Sequence, residues 1–108
     1  MAVAGFSQGA MLALDVALAP GSGVARVAAL SGVMLADTVP YLTTSAKPMV
    51  LIAHGAHDDQ VPLAAGESTR DLLATHEFQV EWLVFEGGHE VPDEVAGALG
   101  RFLKGADS

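Results

Sequence analysis

Gly5-Phe6-Ser7-Gln8-Gly9 is the stretch that decides how the rest of the chain is read. It has the form G-x-S-x-G. The apolar run Met1-Ala2-Val3-Ala4 precedes it and the helix-forming run Ala10-Met11-Leu12-Ala13-Leu14 follows, so the motif stands in a strand-turn-helix context. A nucleophile elbow requires that context, because the turn lifts a serine oxygen clear of the sheet edge. Ser7 is therefore the candidate nucleophile. Gly5 and Gly9 are expected to be glycines because the reversal crowds backbone atoms where a Cβ would clash. A competing reading gives Ser7 a plain structural job as the N-cap of the next helix, a position that favours serine.

Outward from the motif, Gln8 to Ala19 reads as a helix apolar almost all round, with Asp15 its only charge, which implies cover on several sides. Pro20-Gly21-Ser22-Gly23 ends it. Arg26 to Ser31 is a short apolar run of the kind found in parallel strands buried on both faces, and Gly32 closes it. Val33 to Lys47 reads as a loop with a helical turn. Met49 to Ala53 is the clearest strand, introduced by Pro48 and closed by His54-Gly55. Pro62 opens a helix to about His76, Gln79 to Phe85 is a fourth strand, and Gly87-Gly88 is the turn after it. Pro92 to Lys104 is a final helix with Val95, Leu99, Phe102 and Leu103 on one face, and the tail Ala106-Asp107-Ser108 is expected to fray.

Strands alternating with helical patterns mean βαβ units and a parallel sheet. Crossovers in such units are right-handed, so a sheet growing in one direction keeps them on one face. The last helix is left to cover the other.

With 108 residues the chain has room for one small domain. The apolar share of 51% and the charged share of 17% place it among globular α/β proteins. A formal net charge of -8 disfavours nucleic acid or an anionic membrane as a partner. The absence of cysteine excludes disulfides, a thiolate nucleophile and a cysteine-based zinc site. No basic n-region stands at the start and no apolar run approaches the roughly 18 residues that span a bilayer, so the expected compartment is the cytoplasm.

All strands of a parallel sheet end at one edge, where residues following different strands can meet. Ser7 follows the first strand. After the third comes His54-Gly55-Ala56-His57-Asp58-Asp59-Gln60-Val61-Pro62, and after the fourth Glu86-Gly87-Gly88-His89-Glu90. The order Ser, Asp, His is that of the α/β-hydrolases. A metal reading of His54, His57, Asp58, Asp59 and His89 lacks a recognisable ligand spacing, and no cofactor is expected. His54 is expected to pack under the loop and bond its backbone, and His57 to be solvated. Trp82 and Phe85 fit core strand positions, and Met11, Met34 and Met49 read as core filler rather than pocket wall.

Together GFSQG, HGxxDxxVP and GGHE resemble the carboxylesterase and phospholipase branch of the α/β-hydrolases, which includes acyl-protein thioesterases and lysophospholipases. In that branch the catalytic Asp lies four residues past the His of the HG pair and four before the Pro. Both counts reach Asp58 rather than Asp59, and His89 matches the family's base. The resemblance implies a truncated α/β-hydrolase domain over residues 1–108, about four parallel strands with helices on both faces, starting at the elbow. It also implies a triad of Ser7, Asp58 and His89, with the N–H of Gln8 as one oxyanion-hole donor. The second donor normally comes from a loop upstream of the elbow, which no residue here matches.

The expected activity is hydrolysis of small carboxylic esters or thioesters through an acyl-enzyme. The rival expectation is a non-catalytic half-domain that folds by self-association and keeps the triad by inheritance. Either way a homodimer or higher assembly is expected, because the first strand is an apolar edge and one helix shields only about two strands of the sheet.

Overall fold

The computed structural model describes residues 1–105, so the expectation for Ala106-Asp107-Ser108 lies outside the described residues. Four strands, β1 (Ala2–Phe6), β2 (Arg26–Leu30), β3 (Met49–Gly55) and β4 (Val80–Phe85), form one sheet in the order β1-β2-β3-β4. Every neighbouring pair is parallel. Helices α1 (Gln8–Leu18), α2 (Leu63–Thr75) and α3 (Asp93–Lys104) follow β1, β3 and β4, and a 3-10 helix at Ala36–Thr43 follows β2.

Period-two alternation sorts the strand residues between two cores. On one face, Val27, Ala29, Val50 and Ile52 pack with Ala10, Leu14 and Leu18 of α1, Leu42 of the 3-10 helix and Leu73 of α2. On the other, Ala28, Leu30, Leu51 and Ala53 meet Val95 and Phe102, with Leu99 and Leu103 packed at the margin of this core. All three crossovers thus share one face and α3 alone serves the other, as the handedness of βαβ units dictates. The face of α3 holding Val95, Leu99, Phe102 and Leu103 is the one expected. Acidic Asp93 and Glu94 in its first turn, with Arg101 and Lys104 in its last, complement the helix dipole.

Three expectations need correction. Helix α1 is not covered on several sides: Leu12 is 62% and Val16 55% exposed, because the sheet and the 3-10 helix shield only one side of it. Its lone charge is used, since Asp15 accepts a hydrogen bond of 2.7 Å from Thr38 Oγ1. The segment from Val33 to Lys47 carries more than a turn, namely the eight-residue 3-10 helix whose Thr38 and Leu42 are buried. Met49 is not core filler but is 36% exposed and lines an open cavity between α3 and the starts of β2 to β4, whereas Met34 packs against the core as expected while also bordering a groove beside α2.

Phe85 is buried, whereas Trp82 is half-buried at the core margin under the guanidinium of Arg70, 4.8 Å from its ring centre. Along the free edge of β1, Ala4 is exposed and Phe6 is 39% exposed. Among the described residues no helix is long and apolar enough to cross a membrane.

Candidate active site

The elbow is built by close backbone packing. A Cβ on Gly5 would overlap the carbonyl of Gly9, so the strand residue must be glycine. Gly9 departs from expectation, because a Cβ there meets nothing within 4 Å; what crowds Gly5 is the Gly9 backbone. Gly32 is the second obligatory glycine, since its Cβ would stand 2.6 Å from the Cβ of Ala10 and 2.8 Å from the Ser7 carbonyl oxygen. In the sequence it read only as the end of a strand. Ser7 sits at φ 59°, ψ -118°, a conformation rare for a residue with a side chain.

Although Ser7 occupies the N-cap position of α1, its side chain makes no capping bond. Its Oγ lies 2.9 Å from Nε2 of His89 instead, across 82 residues of sequence. His89 Nδ1 lies 2.8 Å from Asp58 Oδ2. A carboxylate only accepts, so Nδ1 carries the hydrogen and donates it, which leaves the Nε2 lone pair to accept from the serine hydroxyl. The capping reading of Ser7 therefore fails on geometry.

Asp58 is the buried one of the two adjacent aspartates, while Asp59 is exposed. Its Oδ1 accepts from the backbone N–H of Gln60 at 2.9 Å and of Val61 at 2.8 Å. Burial pushes its pKa up, but the Val61 N–H, the His89 side chain, the Gln60 N–H and electrostatic attraction to His89 outweigh it. The net result is a pKa below the ordinary 3.8. The carboxyl is thus held ionised and oriented with one oxygen free for the imidazole.

The turns bearing Asp58 and His89 are tied together. The His57 N–H donates to Gly87 O at 2.9 Å, and a Cβ on Gly55 would strike the Gly87 and Gly88 carbonyls. His57 itself is exposed as expected, with Nε2 2.8 Å from Glu86 Oε2. His54 is fully buried, with Nε2 2.6 Å from Val61 O, the expected bond to the loop backbone. Phe6 was not singled out in the sequence, yet its ring lies against His89, because the residue before the serine is the last of β1 and borders the same edge. Gln8 opens α1, and the first N–H groups of a helix have no partner within it. That end also carries the positive pole of the helix dipole.

The arrangement has relatives. The family profile for phospholipase/carboxylesterase proteins matches residues 1–106. Acyl-protein thioesterase 1 of Neurospora crassa is 32% identical over 107 residues, which cover 94% of this chain and 44% of that protein. Among solved structures, esterase PE8 superposes with a TM-score of 0.81 at 29% identity, covering 97% of this chain and 49% of its own. The Thermus thermophilus protein TT1662 gives a TM-score of 0.83 at 27% identity over 96% of this chain and 53% of its own. The chain therefore spans about half the length of these relatives. With an α/β-hydrolase sheet, an elbow at Ser7 and a profile match along nearly its whole length, the chain belongs to the phospholipase/carboxylesterase family.

Proposed function

We propose that this chain carries the nucleophile, base and acid of a serine ester hydrolase acting on small carboxylic esters or thioesters. The observation that supports it best is the continuous line from Ser7 Oγ to His89 Nε2 at 2.9 Å and from His89 Nδ1 to Asp58 Oδ2 at 2.8 Å. His89 takes the serine proton as Oγ attacks the carbonyl carbon, and returns it to the leaving alcohol or thiol. Water then attacks the acyl-serine, losing a proton to His89, which passes it to Ser7 Oγ as the acyl–oxygen bond breaks and the acid departs. Asp58 keeps the Nδ1 hydrogen in place and stabilises the imidazolium. The Gln8 N–H, at the positive end of α1, serves in this reading as one donor to the developing oxyanion.

Labelling by a serine-directed phosphonate, with hydrolysis of a short-chain chromogenic ester, tests the reading. Adduct at Ser7 alone and turnover abolished by Ser7→Ala are expected. A chain that is folded yet silent in both assays is instead the non-catalytic half-domain. The exposed apolar residues on β1 and α1 favour a further part of this reading, that the chain self-associates through this region into a dimer or larger assembly.

A further inference from the structure

We infer that His54 is a positioning residue for Asp58, acting through the turn that grips it, and that position 66 is glycine to make room for that imidazole. The inference rests on the triad reading above and extends it by one residue.

His54 is the next-to-last residue of β3 and is 0% exposed. Its Nε2 lies 2.6 Å from Val61 O, and a carbonyl oxygen only accepts, so Nε2 carries the hydrogen. The same Val61 donates its own N–H to Asp58 Oδ1 at 2.8 Å. Val61 is thus held at both polar atoms, by His54 on its carbonyl and by Asp58 on its amide. His54 Nε2 is also 3.7 Å from Asp58 Oδ2, the oxygen that accepts from His89. The positive end of the Nε2–H bond therefore lies beside the carboxylate while fixing the turn that aims it.

The other ring nitrogen supplies the contrast. Nδ1 is buried without a hydrogen-bond partner among the described residues. Helix α2 presses Gly66 against it: a Cβ at that position would stand 2.7 Å from Nδ1, 3.2 Å from Cγ and 3.3 Å from Cε1. A residue whose sole job was filling this space would be better apolar, because an orphaned buried acceptor is unfavourable. The histidine is explained by its other nitrogen, whose N–H serves the acid turn. Gly66 and Val61 together leave the ring one plane and one tautomer.

The test compares two replacements in the full chain. His54→Gln keeps an N–H donor at about the reach of Nε2, whereas His54→Phe keeps the ring volume without a donor. Misplacing a reacting constellation by about 1 Å costs on the order of 10²-fold. Accordingly His54→Phe is expected to lower kcat on a short-chain ester by about 10- to 100-fold with KM nearly unchanged. His54→Gln should recover most of that loss. In an Asp58→Asn background His54→Phe should cost less than about twofold, since its route to the site is already cut.

A readout independent of turnover is the His89 Nδ1–H proton in NMR spectra, expected to be protected in the parent and in His54→Gln and lost in His54→Phe. It reports on positioning even in a chain without esterase activity, which separates failure of this inference from failure of the triad reading. Should His54→Phe not fold, Gly66→Ala displaces the ring from the other side and should broaden the same proton. Equal kcat and equal proton protection in the Phe and Gln variants, or an equal cost in both Asp58 backgrounds, would make His54 a packing residue and overturn the inference.

Discussion

The ring of Phe6 lies against the imidazole of His89, with centroids 4.8 Å apart and planes inclined by 39°. Such a contact restricts the imidazole to the orientation that serves both Ser7 and Asp58. Aromatic pairs contribute about 0.5–1.5 kcal/mol beyond their buried area. Phe6→Leu should therefore lower kcat/KM on a short-chain ester by roughly two- to tenfold, with phosphonate labelling of Ser7 slowed in proportion. Unchanged labelling would show that the two polar contacts orient His89 unaided.

The two adjacent aspartates should separate cleanly. Asp58→Asn should reduce kcat on the order of 10⁴-fold, because an amide can no longer hold the imidazole in the productive tautomer. Asp59→Asn should leave kcat within about twofold, since exposed side chains away from the site change little. Steady-state kinetics on the two variants decide the assignment, and the reverse pattern would move the acid to Asp59.

A similar contrast holds for the glycines of the elbow. Gly5→Ala should unfold or inactivate the protein, since its Cβ has no space against the Gly9 backbone. Gly9→Ala meets open space in a helix and should be neutral or stabilising by up to about 1 kcal/mol. Thermal melts of both variants provide the measurement. Equal destabilisation would mean that the elbow tolerates no side chain at either position.

Acid should destabilise the fold through Asp58 in a defined direction. Its folded pKa lies below the ordinary 3.8, so as pH falls the unfolded chain binds the proton first. The stabilisation is complete above the unfolded value, and is lost as pH drops through that value towards the folded one. Denaturant titrations between about pH 6 and pH 2.5 should show a steeper acid loss for the parent than for Asp58→Asn. Parallel curves would mean that the carboxyl is no more ionised in the folded chain than in the unfolded one.

Association should track the uncharged end of the chain. Residues 1–25 contain Asp15 as their only charged side chain in a chain of net charge -8. Like-charged copies approach most readily across such a surface. Sedimentation of the 108-residue chain should show a dimer or larger species, and Leu12→Lys with Val16→Glu should shift it towards monomer. A folded monomer at micromolar concentration would remove the proposal.

What the sequence made legible follows from the range of the forces involved. Strand and helix order was readable because period-two and helical patterns are local, and the meeting of Ser7, Asp58 and His89 because three loops follow three strands of known direction. Gly32, Gly66 and Phe6 were not readable, since each depends on which surface a distant element presses against it. Val33 to Lys47 was opaque for the same reason: its 3-10 helix is held by Thr38 on Asp15 and by Leu42 in the core, contacts without local periodicity. The exposure of Leu12 and Val16 was misjudged because composition reports a wish for cover and not its presence.

Ser7 and His89 stand after the two outermost strands, β1 and β4, so their meeting spans the full width of the sheet. It requires all three strand pairings to be in register at once. A chain with any one pairing unmade has its hydroxyl and imidazole apart, and its serine is as inert as one in water. If Ser7 is the nucleophile proposed above, its reactivity should arrive last in folding and serve as a clock for the final step. Pairings this distant in sequence close slowly, and phosphonate capture during refolding should rise with the slowest phase seen by Trp82 fluorescence rather than with the first.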